Sequence, residues 1–131
     1  MNLEQYLQIR MELLEFADEV AAPKREEYTG QSQDILYNFK RIANRLGMSP
    51  LQVWAVYFNK HVDSVNTFIK GEASVSEPMG SRFADMLNYL FLGIALIIEE
   101  EQTQSPSQDP TEEKQEFSFS SALDGHPELG I

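Results

Sequence analysis

The sequence predicts an all-α fold: a four-helix bundle, expected to be oligomeric, followed by a disordered acidic C-terminal tail. Apolar residues recur at i, i+4 and i+7 over long stretches, helix start and stop residues stand between those stretches, and strand signals are few. The 131 residues, 42% of them apolar, make one domain's worth of material, enough to bury roughly 65–70% of the unfolded surface. No cysteine is present, which excludes a disulfide scaffold, a redox dithiol and a thiolate metal site and fits a reducing, cytoplasmic setting. Two histidines disfavour a histidine-rich zinc site. A net charge of −11 opposes general affinity for nucleic-acid phosphates, which is built from clustered Lys and Arg.

The first helix is expected over about 3–22. Leu3, Leu7, Met11 and Leu14 form its apolar stripe, Tyr6, Leu13, Ala17 and Val20 widen it, and Pro23 ends it. No basic region precedes an apolar run, so it does not read as a signal peptide. A charged connection, Lys24 to Gly30, leads to Asp34 as N-cap of a second helix over 35–46 that buries Ile35, Leu36, Phe39, Ile42, Ala43 and Leu46 and stops at Gly47. Ser49 as N-cap with Pro50 at the first helical position opens the third, over 50–70, closed by Gly71. Ser76 and Pro78 open the fourth, over about 77–101. Its centre, Phe83 to Ile98, is apolar on nearly every side, which implies burial all round or a membrane span. The run has sixteen residues and contains Asp85 and Asn88, so it is read as the central core helix and no membrane is expected. One face of so apolar a helix in so small a bundle is expected to meet a second subunit.

Residues 1–102 therefore read as the bundle domain and 103–131 as the tail. Residues 99–131 hold nine acids and one base, and little periodic apolar content. Phe117 and Phe119 in that tail could dock on a partner, or the tail could be a solvated appendage.

Polar groups are conspicuous in the fourth helix. Asp85, Asn88 and Tyr89 stand at i, i+3 and i+4 with Arg82 one turn before, all on one side. Either Asp85 pairs with Arg82 or a base from the third helix while Asn88 satisfies a backbone group, or these residues line a small polar pocket between helices. On the third helix Lys60 could meet a phosphate or Asp85, with Asp63 three residues on facing the same cleft or forming a surface ion pair with it. His61, among Trp54, Phe58, Val65 and Phe68, reads as a core histidine. Ala43, Gly47 and Val53 have helix-turn-helix spacing, yet residues 50–58 carry no base and one amide, so base readout is disfavoured.

Arg25-x-x-Tyr28-x-Gly30, Asn38-Phe39-x-Arg41-Ile42-Ala43, Ser49-Pro50-x-x-Val53, Lys60 and Asp85-x-x-Asn88-Tyr89, in that order, resemble the phage and bacterial MazG-like proteins, including the nucleotide modification associated domain family. The likeness spans about residues 20–98. It implies an all-α, usually oligomeric bundle of the nucleoside triphosphate pyrophosphatase type that handles nucleotides, in phage cases within the host cytoplasm. Active members hold Mg²⁺ with a Glu-x-x-Glu pair on one helix and a Glu-x-x-Asp pair on another. Here Asp85 matches the final Asp, the weak metal candidate, but Arg82 stands where its partner ligand belongs. Glu12-x-x-Glu15-x-x-Asp18 has the right period on the wrong helix. The expectation is a nucleotide-binding protein in which Lys60, Arg82 and Arg25 or Lys24 face phosphate, Tyr28 or Tyr89 borders the base, and Asp85 and Asn88 orient the ligand or bind one Mg²⁺. A Mg²⁺-dependent pyrophosphatase and a non-enzymatic interaction protein acting through a dimeric bundle and acidic tail are the alternatives.

Overall fold

A computed structural model describes residues 1–30, 32–72, 78–104 and Phe119 of the chain. Four helices and no strand occur among the described residues: α1 (Leu3–Thr29), α2 (Tyr37–Leu46), α3 (Pro50–Lys70) and α4 (Met79–Gln104). α4 is the central element, packed against α1 on one side and α3 on another, with α2 closing over α3. α1 and α4 run antiparallel, since Ala17 meets Asn88 while Lys24 meets Asp85. α3 also runs against α4, with Pro50 and Leu51 near Leu96 and Glu99 and with His61 against Tyr89.

The ends of these helices follow local chemistry. Asn2 and Gln5 form a reciprocal capping box at the start of α1, and Ser49 and Gln52 form another at α3, where Pro50 occupies a position whose N–H would have no intrahelical partner. Gly47 ends α2 at φ +66°, a left-handed conformation that glycine adopts without steric cost, and the Met48 N–H turns back to donate to the Ala43 carbonyl at 3.0 Å. The expected bounds of α3 are those observed.

Three expectations change. Pro23 does not end α1. It removes one intrahelical hydrogen bond, but the helix continues to Thr29, held by the packing of Ala17 on α4 and by the Lys24 to Asp85 contact beyond the proline. Asp34 is not an N-cap of α2: Leu36 holds that position, and Asp34 Oδ1 accepts from the Leu36 N–H at 2.9 Å in the preceding turn. α4 starts at Met79 and reaches Gln104, where the expected helix ran over about 77–101. Ser76 and, of residues 105–131, all but Phe119, which is exposed, lie outside the described residues.

The core is thin. Leu36, Phe39, Ala43, Val53 and Leu96 form its centre, with Ile42, Met48, Leu51, Trp54, Tyr89 and Leu92 packed around them. Ile35 and Leu46, expected to be buried, are exposed, as are Leu3, Leu7, Met11 and Leu14 on α1. Nor is α4 buried all round: Phe83 and Leu90 are each about half exposed, and Ile97 is 36% exposed. Three neighbouring helices cover only part of its circumference. Phe83, Leu90 and Ile97 recur every seven residues and therefore share one face, roughly opposite to the face bearing Asp85, Asn88 and Tyr89.

Lys40 joins the turn before α2 to the far end of α4, donating to Asp34 at 2.6 Å and contacting Glu99 at 2.7 Å. Burial alone would raise the Asp34 carboxyl, but hydrogen bonds from Lys40 and the Leu36 N–H, and the Lys40 charge, outweigh it and hold its pKa below the ordinary value. A depressed carboxylate stabilises the fold above its unfolded pKa, about 3.9, and that contribution disappears as pH falls through the lower folded value. Asp34→Asn is therefore expected to lower the thermal midpoint at pH 7 and to leave it nearly unchanged at pH 2, as followed by helical circular dichroism.

Candidate functional site

The polar residues of α4 face a cavity of about 320 Å³ bounded by all four helices. α1 contributes Lys24 and Arg25, α2 Asn38 and Phe39, α3 Tyr57, Lys60 and His61, and α4 Arg82, Asp85, Asn88, Tyr89 and Leu92. The volume lies within the range of small-molecule sites. Four of the chain's ten Lys and Arg residues line it, against one carboxylate. In a chain of net charge −11 this is a local reversal of sign.

The four cations arrive from three helices, α1, α3 and α4. Lys24 and Arg25 reach the cavity because α1 runs past Pro23, and Lys60 stands on the same side of α3 as Tyr57 and His61. Lys24 Nζ donates to Asp85 Oδ1 at 2.8 Å across the α1 and α4 interface. Asp85 thus pairs with a base from α1. Asn88 Nδ2 donates to the Ala17 carbonyl at 2.8 Å, so its amide is engaged in joining α4 to α1. The structure therefore realises the backbone role expected for Asn88 and also places it at the cavity wall.

Aromatic side chains make the apolar wall. Tyr57 and Tyr89 stack with centroids 6.4 Å apart, and Phe39 meets each of them edge-on at 6.3 Å. Behind Tyr89, Trp54 stacks on Phe58 at 5.1 Å and its Nε1 donates to the Tyr89 carbonyl at 2.6 Å. That reach depends on Gly93: a Cβ there would stand 2.7 Å from Trp54 Cε2 and Cζ2. The missing side chain thus lets the indole lie against the α4 backbone.

His61 is 8% exposed, with its ring 5.0 Å from Tyr89. Burial pushes its pKa down; Asp85 pulls it up, while Arg82, Lys60 and Lys24 push it further down, and the net shift is below the ordinary value. The imidazole is neutral at pH 7. As pH falls below about 6.5 the unfolded chain takes up a proton that the folded imidazole resists, so this group removes stability on acidification.

Of the residues expected at a site, Arg25, Lys60, Arg82, Asp85, Asn88 and Tyr89 line one cavity. Asp63 does not: it is exposed on α3, turned away from the side that Tyr57 and His61 share. The anticipated pair of carboxylates is thereby reduced to Asp85. Tyr28 belongs to the last turn of α1, and its side chain lies outside the described residues. Tyr57, Phe39 and Asn38 were not foreseen as lining residues, although Asn38-Phe39 belongs to the motif quoted above. Their place depends on how α2 docks on α3, which their own spacing does not carry.

Among the described residues no group of three or more His, Asp or Glu is placed to hold a metal ion. Glu12, Glu15 and Asp18 are exposed along α1 and do not line the cavity. With Asp85 as the lining carboxylate and Lys24 on its Oδ1, the donor set does not fit a resident Mg²⁺, which takes hard oxygen ligands in octahedral array.

No family model, curated protein or solved structure matches this chain. The likeness to MazG-like proteins rests on the short motifs alone. Among the described residues α4 is long and apolar enough to cross a membrane. In the fold it packs against α1 and α3, with Arg82, Asp85 and Asn88 turned toward the cavity.

Proposed function

We propose that the chain is a nucleotide-binding protein that takes a nucleoside phosphate into the cavity between its four helices. The observation that carries this reading is the convergence of Lys24, Arg25, Lys60 and Arg82 on one concave site that also has an aromatic wall. Phosphate oxygens accept charge-assisted hydrogen bonds from such groups, and Tyr57, Tyr89 and Phe39 offer apolar surface to a base. Asp85, held by Lys24, orients that cation and can accept from a ribose or base donor. Any Mg²⁺ in this reading arrives bound to the phosphates, so a pyrophosphatase activity has no protein-built metal cage to start from. The motif likeness supports the same class of ligand and a cytoplasmic, phage-linked role in nucleotide metabolism or modification. Calorimetry against a panel of ribo- and deoxyribonucleoside mono-, di- and triphosphates, with and without Mg²⁺, is expected to find a ligand. Mass spectrometry of whatever the denatured protein releases identifies it independently. Absence of binding across the panel would sink this reading.

A second reading, that the chain also assembles with itself, is favoured by the uncovered stripe of Phe83, Leu90 and Ile97 on α4. Large exposed apolar patches mark interaction surfaces, and a seven-residue repeat suits helix-to-helix packing. The stripe faces away from the cavity, so two copies could meet there without blocking it. Leu90→Glu is expected to convert an oligomer to a monomer in sedimentation velocity runs while leaving nucleotide binding intact. A wild-type chain that sediments as a monomer at micromolar concentration would end the second reading without touching the first.

A further inference from the structure

α1 and α4 lie antiparallel, and the pair they form has two sides. Ala17, fully buried, and Asn88, bonded to its carbonyl, mark the line of contact between the two helices. Going round each helix from that line, Arg25 stands about 80° from Ala17 and Leu92 about 40° from Asn88, both toward the cavity. Phe16 and Phe91 stand about 100° and about 60° round the other way. Ile9, seven residues before Phe16, shares its flank, and Phe91 leads round α4 to the stripe of Phe83, Leu90 and Ile97. Two helices thus present one apolar face on the side opposite the cavity, and its six large side chains are each 36–50% exposed.

We infer that this two-helix face is the docking surface for a second copy of the chain, the α1 and α4 pairs of two copies packing face to face as a four-helix bundle about a two-fold axis. The inference rests on the self-assembly reading and enlarges its interface from a stripe on α4 to both helices. The spacing selects a helical partner: seven residues separate Ile9 from Phe16, and likewise Phe83 from Leu90 and Leu90 from Ile97, the register of helices that pack on helices. The area suits a dimer. With the half-buried Leu13, Val20, Leu87 and Ile94 between them, these side chains put on the order of 500–700 Å² of apolar surface on each copy, near the roughly 800 Å² per partner of a standard interface. The same patch on both copies is what a two-fold contact uses. Charge opposes an anionic surface as the occupant. Arg10 lies on the line of Ala17, Lys24 bonds Asp85, and Arg25 and Arg82 line the cavity, so neither helix brings a Lys or Arg to this face. The polar side of α1 carries Glu4, Glu12, Glu15, Asp18 and Glu19, where helices that lie on lipid carry Lys and Arg. Glu12 and Glu101, each one turn from a member of the face, put like charges at its edge, so salt that screens them should tighten the association. Nucleotide affinity is expected to move the opposite way.

Sedimentation velocity of the full-length chain at micromolar concentration is expected to show a dimer that added salt strengthens. Phe16→Glu is expected to weaken dimerisation by about a hundredfold or more, the effect of burying an unpaired charge. Ile9→Glu should do the same, and since every residue from Met1 to Glu12 is exposed, it leaves the fold of the single chain intact. Leu7→Glu is the control. Leu7 is about as exposed as Ile9 but shares the flank of Arg25, about five turns on, and its replacement should leave the dimer unchanged. Ile9→Glu and Phe16→Glu chains that dimerise like wild type, while Leu90→Glu is monomeric, would confine the interface to α4 and overturn the inference alone. Dissociation by Leu7→Glu to the same degree would also overturn it, because no one face would then be selected. A wild-type monomer overturns the inference together with the self-assembly reading, and flotation of that monomer with neutral phosphatidylcholine vesicles would assign the face to lipid. Should Phe16→Glu unfold, Ile9→Glu decides by itself.

Discussion

Replacing Gly93 by alanine is expected to lower the stability of the chain by about 1–3 kcal/mol, the usual cost of overpacking a well-packed site. The added methyl would lie 2.7 Å from two atoms of the Trp54 ring, closer than side chains approach one another. The ring cannot simply retreat, because it is stacked on Phe58 and its Nε1 donates to the Tyr89 carbonyl. Moving it loses that hydrogen bond, worth about 1 kcal/mol, and loosens the wall behind Tyr89. For a domain of this size a fall of several degrees in the thermal midpoint should follow. The double variant tests the cause. In a Trp54→Phe background, where the smaller ring leaves room for a methyl, Gly93→Ala should cost far less, giving a coupling of about 1 kcal/mol or more between the two sites. Equal costs in both backgrounds would show that the glycine is required for some reason other than the indole.

The largest expected effects on binding come from Lys60 and Arg25. Both side chains are exposed, and among the described residues neither forms a side-chain hydrogen bond or ion pair, so their removal should leave the thermal midpoint almost unchanged. Each is expected to lose roughly 1.5–3 kcal/mol of nucleotide affinity, the scale of a hydrogen bond to a charged group, which is about tenfold to a hundredfold in Kd. Affinity should also fall with added salt, less steeply in either variant than in wild type, since one fewer exposed cation faces the phosphates. Lys70→Ala, at the far end of α3 and away from the cavity, is the control and should bind normally. Loss of affinity in Lys70→Ala equal to that in Lys60→Ala would mean that overall charge, not the cavity, governs the interaction.

What the sequence could disclose depended on how local the cause was. The ends of α3 were readable because Ser49, Pro50, Gln52 and Gly71 act on their own turns. The end of α1 was not, since the continuation past Pro23 is held by contacts with α4, and Asp85 lies 61 positions from Lys24. Periodicity identified Leu3, Leu7, Met11 and Leu14 as one face. It did not say what covers them, and among the described residues they stand exposed. The grouping of Arg82, Asp85, Asn88 and Tyr89 followed from the pitch of a single helix. The same arithmetic did not exclude Asp63, because its position relative to the cavity depends on how α3 is rotated against α4. His61 illustrates a different limit: its apolar neighbours in sequence correctly announced burial, and burial alone did not reveal that the residue also lines the cavity.

The bond from Trp54 to the Tyr89 carbonyl has an optical consequence. Trp54 is the chain's one tryptophan, so all of the protein's indole emission comes from this position. The acceptor of its N–H is the backbone of a residue whose side chain forms part of the cavity wall. A ligand that stacks on Tyr89 or shifts α4 by a few tenths of an ångström would alter the field at the indole and hence its emission maximum and lifetime. Occupancy of the cavity can then be followed by intrinsic fluorescence, without a label and at concentrations too low for calorimetry.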